Sequence, residues 1–215
     1  LHLGVFMDSE LLGAMQFGPP LQTSHLVGLV EGTRWNGFVE LNRMAFSDRL
    51  PRNSESRALA VSMRLMRKHA PHVQWVVSFA DGTQCGDGAI YRASGFVLTG
   101  VKRNTSLWRT PSGAVVSDVG VRTSENLCRA LGTTGSSASL ASVGCERLAG
   151  FQLRYVYFID PTARERLTVP VLPFSAIDAA GARMYRGKPS VRAGTSTRDG
   201  APVEVGGATP TPALP

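Results

Sequence analysis

Tyr91, Asp81, Arg43 and Ser56 are the residues of this chain whose types and settings could do chemistry. A tyrosine hydroxyl ionises near ~10, so at neutral pH Tyr91 holds a proton that it could hand to a departing thiolate as a general acid. As a purely structural residue, the same tyrosine would pack a short helix against a sheet. Asp81 ends an apolar run at 73–79, where a carboxylate could orient an amine, take its proton or bind a metal ion. With Gly82 behind it, Asp81 also reads as a common turn pair. Arg43 stands inside the apolar run 38–46, where an unpaired charge is costly, so it should meet Glu40, a phosphate or solvent. Ser56 falls in the first turn of a helical pattern at 53–69, where its hydroxyl could donate to a phosphate or serve the helix alone.

That helix start is the second chemical feature. Asn53 or Ser54 should cap the first turn, and Pro51 should stop the strand before it. Free amides, the helix dipole and Arg49, Arg52 and Arg57 would then make a seat for a phosphate or pyrophosphate from Arg52, Asn53, Ser54 and Ser56. An ordinary capped surface helix has the same look. Neither a P-loop nor a GxGxxG run occurs, which removes most of the support for nucleotide hydrolysis and for a dinucleotide fingerprint.

The elements that must hold these residues follow from spacing. Residues 38–96 read as strand, turn, helix, strand and short helix. Upstream, strands at 3–7 and 11–17 should form a hairpin through Asp8, Ser9 and Glu10. Within the helix, Ala58, Val61, Ser62, Leu65 and Met66 share a face expected to meet the sheet. A further strand is expected at 153–159. If it pairs with 96–102, the intervening 104–150 is a loop-rich insertion beside the substrate side, with a hairpin at 111–113 and a flexible Gly/Ser/Thr/Ala loop at 132–144. Residues 187–215 contain no aromatic residue, so a disordered tail is expected after one domain at 1–186.

The order strand, helix, strand, then a helix closing in AIYRASGF resembles the second half of the GNAT acyltransferase fold. RLPRNSES stands where that fold usually has its pyrophosphate loop. With ELNR before it, FAD after the helix and AIYRASGF beyond, the pattern resembles the Mom family of phage DNA-modification proteins. The likeness covers residues 3–103, and more loosely RYVYFID at 154–160. It implies an α/β, GNAT-like fold with a mixed, mostly antiparallel, splayed sheet. It also implies acetyl-CoA-dependent modification of adenine N6 in double-stranded phage DNA by a methylcarbamoyl-type group, protecting that DNA from host restriction. In that family's pattern Arg43 matches the strand arginine, Ser56 the serine of the helix start, Asp81 the aspartate after the next strand and Tyr91 the tyrosine of the short helix. Family members carry an upstream His-Tyr pair, whereas this chain opens at LHLGVFMD, and His2 and His25 do not stand at the family position. The resemblance therefore leads us to expect an upstream segment, with iron entering through it. A conventional N-acetyltransferase of a small amine or protein, and a non-enzymatic DNA-binding accessory protein, are the alternatives.

Composition favours an anionic partner, because 215 residues carry a net charge of +7 and Lys102, Arg103, Arg109, Arg122 and Arg129 extend the basic character past the core. Trp35, Trp108 and Phe151 could stack on a base or simply fill a core. Adenine in a duplex would have to be extruded to expose its amino group. Three cysteines, without a CxxC, argue against a zinc site and a disulfide framework, although Cys85 lies near Asp81 in sequence. No apolar run is long enough to span a membrane, and the host bacterial cytoplasm is the expected compartment.

Overall fold

The computed structural model describes residues 1–20, 23–81, 86–182, 184–185 and 188–189. Strands β1 (His2–Met7) and β2 (Glu10–Gly18) form the expected antiparallel hairpin. Its turn residues, Asp8 and Ser9, both have positive φ, the backbone that matches a two-residue turn to strand twist. Strand β3 (Phe38–Phe46) leads to helix α1 (Ser54–His69), β4 (Trp75–Asp81), the short α2 (Ala89–Ala93) and β5 (Val97–Asn104). Next come β6 (Leu107–Arg109), β7 (Val115–Ser117), α3 (Asp118–Thr123), α4 (Glu125–Leu131), α5 (Ser137–Ser142), β8 (Glu146–Arg147) and β9 (Gly150–Phe158).

The main sheet has six strands in the order β1-β2-β3-β4-β9-β5. All neighbours are antiparallel except β3 and β4, which run parallel only across Phe38–Trp75, Val39–Val76 and Glu40–Val77. Beyond that point β3 continues to Phe46 against β2, while β4 continues to Asp81 against β9. The sheet therefore opens into a fork, as the GNAT-like resemblance implies. On β3 the register passes from Phe17–Leu41 to Gln16–Arg43, leaving Asn42 as an extra residue in a bulge just past the fork. The late strand β9 pairs with β5, the condition on which the insertion's placement rested, and also with β4, so it lies between the two.

Both faces of the sheet are covered, which explains why Trp75, Val76, Val77 and Ser78 at the start of β4 are all buried. One core lies beneath α1 and α2 and contains Met15, Phe17, Leu59, Met63, Leu153 and Tyr155. The other, under residues 23–37 and a 3-10 segment at Pro161–Arg166, holds Leu26, Val30, Phe38, Trp75 and Val156. Phe38 stacks on Trp75 at 4.3 Å, and the Trp75 indole donates to Thr33 Oγ1 at 3.0 Å.

Two expectations for α1 are corrected. Its buried face is Leu59, Ser62, Met63 and Met66, while Val61 is 44% exposed and Leu65 37% exposed. The helix is apolar over a wide arc, so its periodicity admits neighbouring stripes and the sheet decides between them. Neither Asn53 nor Ser54 caps the helix through its side chain. Asn53 is left-handed, with φ of 69°, not the extended backbone of an ordinary side-chain cap.

The segment expected to be loop-rich forms a small unit of its own. β7-β6-β8 make a three-stranded sheet whose hairpin turns at 110–113, and α3 to α5 pack on it around Trp108, Val121, Leu140 and Cys145. The flexible loop expected at 132–144 instead contains α5, with Ser136 Oγ accepting from Ser139 N and Leu140 fully buried. Trp108 is 4% exposed and belongs to that core, so it is not a stacking platform for a base. Helix α6 (Ser175–Ala179) and the paired strands β10 (Met184–Tyr185) and β11 (Lys188–Pro189) follow. Apart from β11, the expected tail lies outside the described residues.

Candidate functional site

The fork between β3 and β4 has β3 backbone on one wall, and residues 47–53 lead from the end of β3 to α1, whose Ser54 and Arg57 border a groove with β1. Among the described residues β3 beyond Glu40 pairs with β2 alone, so its other edge carries peptide groups that a ligand's amides could pair with. Arg52, Asn53 and Arg57 are exposed around the start of α1, and Ser54, Glu55 and Ser56 are half-buried in its first turn. Ser54 Oγ donates to Pro51 O at 2.6 Å and Ser56 Oγ to Asn53 O at 3.1 Å. Both hydroxyls thus brace the turn, and among the described residues no side-chain cap bond reaches the helix amides. Arg49 is drawn away into an ion pair with Glu10 of the hairpin at 2.6 Å. Glu55 adds a carboxylate that partly offsets the dipole's attraction for an anion.

Arg43 is exposed and opposite Gln16, across the bulge from residues packed under α1. Its Nη1 donates to Asn42 O at 2.7 Å, and among the described residues it makes no ion pair. Of the alternatives read from sequence, Glu40, a phosphate or solvent, the side chain meets solvent here, and a pair with Glu40 is not among the ion pairs between described residues.

Asp81 closes β4 opposite Gln152 of β9, half-buried, and Asn104 Nδ2 donates to its Oδ1 at 3.3 Å. Strand alternation puts it on the face of Phe79, away from α1. On that face lies a cavity of ≈ 610 Å³ bordered by Glu40, Phe79, Lys102, Asn104, Gln152 and Arg154, with the insertion contributing Asp118. Gly82 and Cys85 lie outside the described residues.

Tyr91 takes the opposite face. On α2, its ring packs at 5.3 Å against both Phe96 and the fully buried Tyr155. Asp87 pairs with Arg92 at 3.0 Å, and Tyr155 Oη donates to Asp87 O at 2.6 Å, which ties the start of α2 to β9. Burial pushes the Tyr155 phenol well above its ordinary range, with the Arg92 charge pulling the other way. The structure therefore brings Ser56 and Tyr91 to the helix face, and Arg43 and Asp81 to the cavity face, with the fork between them.

Arg154 is the residue that sequence reasoning passed over. Its guanidinium is half-buried at the cavity, with Nε donating to Thr99 Oγ1 and Nη2 to Thr99 O, each at 3.0 Å. Burial lowers its pKa from the usual arginine value. The signal was an arginine in the apolar run 153–159. Among the described residues no three His, Cys, Asp or Glu side chains converge to hold a metal ion, so the donor set for iron is not assembled there.

Comparison with known proteins adds three findings. A solved structure, a GphF GNAT-like decarboxylase in complex with isobutyryl-CoA, aligns with a TM-score of 0.37 and 12% identity, over 74% of this chain and 77% of that one. The methylcarbamoylase mom of Escherichia phage Mu is 43% identical over 106 residues, which is 49% of this chain and 44% of that protein. The match thus spans less than half of that relative's length. Finally, the sequence pattern of the Mom protein family matches residues 1–176, and the chain belongs to that family.

Proposed function

We propose that this chain modifies the exocyclic amino group of adenine in phage DNA, using acetyl-CoA, with a methylcarbamoyl-type group of the kind the phage Mu relative's name describes. The observation that carries the reading is the fork. Its free β3 edge and bulge suit the amides of a pantetheine arm, and the uncapped start of α1 beside Arg52 and Arg57 suits a pyrophosphate. These residues fit an acyl-CoA. A bound acetyl-CoA would supply an activated acetyl group; acetyl transfer alone would give N6-acetyladenine, so an amino-nitrogen donor would have to supply the nitrogen of a methylcarbamoyl-type group.

This chain's own residues have separable tasks. Arg52, Asn53, Ser54 and Ser56 would hold the pyrophosphate, with the Ser56 hydroxyl, now bonded to Asn53 O, available as a donor. Arg43, beside the bulge, faces the reacting end. Asp81, steadied by Asn104, would orient the adenine amine and take its proton, while Tyr91, wedged between Phe96 and Tyr155, would hold the proton needed by a departing thiolate. The purpose of the modification is to block cleavage by host restriction enzymes.

Mass spectrometry of nucleosides from plasmid DNA co-expressed with the chain tests this. Modified adenosine with the wild type, reduced at least tenfold with Asp81→Asn, is the expected result. Modified DNA at wild-type levels in the variant would remove Asp81 from the reaction. An acetylated small amine or protein with unmodified DNA would instead favour a conventional N-acetyltransferase.

A further inference from the structure

The cavity on the face opposite α1 has a feature that the proposed chemistry does not use. Arg154 sits near mid-sheet, between Phe79 of β4 and Gly100 of β5 in the pairing register. The register of β5 shifts between Leu98 and Gly100, so Thr99 is the extra residue of a bulge. That bulge turns Thr99 toward Arg154. Its hydroxyl and carbonyl take two guanidinium N–H groups, and Thr99 Oγ1 lies 3.3 Å from Arg154 O. Gly100, opposite Arg154, adds no side chain over the guanidinium.

Arginine keeps its charge even when burial lowers its pKa. Burying it against neutral acceptors alone is unfavourable unless an anion completes the site. Among the described residues no carboxylate comes within ion-pair distance of Arg154, although Glu40 and Asp118 border the same cavity. Lys102 and Gln152 stand one register step further along, in the row that also holds Asp81. Arg154 and Asp81 are thus diagonal neighbours on one face, about 7–8 Å apart at the backbone. That separation suits a nucleotide whose base is at Asp81 while an adjoining phosphate is at Arg154.

We infer that Arg154, held flat by Thr99, is a phosphate anchor of the substrate cavity, binding a backbone phosphate next to the adenine extruded toward Asp81. The inference rests on the adenine-modification reading. The acyl-CoA pyrophosphate is the other possible source of such an anion, but its proposed seat at α1 is on the opposite face of the sheet.

The test is the salt dependence of binding to a 30-base-pair duplex with one mismatched adenine, alongside acetyl-CoA calorimetry. Each phosphate neutralised contributes about 0.9 to the slope of log affinity against log salt. Arg154→Gln should lower the slope by about that amount and weaken DNA binding roughly tenfold, with acetyl-CoA affinity unchanged. Arg154→Lys keeps a point charge and should keep the slope. If Arg154→Gln does not melt cooperatively, Thr99→Val takes its place, with weaker DNA binding at an unchanged slope expected. An unchanged slope in folded Arg154→Gln, a slope lost equally in Arg154→Lys, or unchanged affinity in Thr99→Val would overturn the anchor. So would loss of acetyl-CoA binding with DNA binding intact. A wild type that binds no DNA overturns the adenine reading itself, which separates the two failures.

Discussion

The Tyr155 hydroxyl donates to the backbone carbonyl of Asp87 at 2.6 Å, and its ring lies directly against Gly88. One buried phenol on β9 thereby fixes where α2 begins, and so where Tyr91 sits. Gly88 has φ of +75°, and a Cβ added there would lie 2.5 Å from the Tyr155 ring. Gly88→Ala is therefore expected to destabilise the fold by about 1–3 kcal/mol and to displace Tyr91. Thermal unfolding reads the first effect, and loss of modified adenosine reads the second.

The same phenol makes stability depend on alkaline pH. Its folded pKa is raised above its unfolded value near ~10, so the folded state holds the proton more tightly. The contribution is fully present below pH ~10 and is lost as pH rises through the folded value. Denaturant titrations at successive pH values should show stability falling above pH ~10, and Tyr155→Phe should flatten that fall. It should also cost about 1–3 kcal/mol at neutral pH, because the Asp87 carbonyl loses its buried donor.

Tyr91→Phe separates chemistry from packing. The ring contacts with Phe96 and Tyr155 remain, so the melting temperature should stay within a few degrees of wild type. Turnover should fall by about 10²–10⁴-fold if the hydroxyl is the general acid. Equal turnover in single-turnover assays would leave Tyr91 as packing alone.

The face of α1 can be tested by substitution. Leu59 is fully buried under the helix, so Leu59→Ala should cost about 2–5 kcal/mol. Val61 faces the groove beside β1, and Val61→Ala should stay within about 0.5 kcal/mol. Equal losses would restore the face expected from periodicity.

That helix shows how far local pattern reaches. The hairpin through Asp8 and Ser9, the order from β3 to β5 and the span of α1 were legible because turn chemistry and periodicity are local. The rotation of α1 was not, since Val61 and Leu65 are as apolar as Leu59 and Met63 and only the sheet chooses between them. The segment 132–144 looked featureless because its one buried anchor, Leu140, gives no repeat to read. Arg154 carried no such local sign. Its meaning depends on a bulge at Thr99, some fifty residues away in sequence. For Arg43, Ser56, Asp81 and Tyr91, sequence nominated the residues, and long-range pairing distributed them over two faces of one fork.

Acetyl-CoA calorimetry on wild type and Ser56→Asp tests the central claim most directly. An aspartate in the first turn of α1 favours the helix dipole by about 0.3–1 kcal/mol, so the variant should melt no lower than wild type. The same carboxylate would sit where the pyrophosphate must go. Saturable binding by wild type, weakened at least tenfold in an equally stable Ser56→Asp, is the expected result. Undiminished binding in the variant, or none in folded wild type, would contradict an acyl-CoA site at the fork.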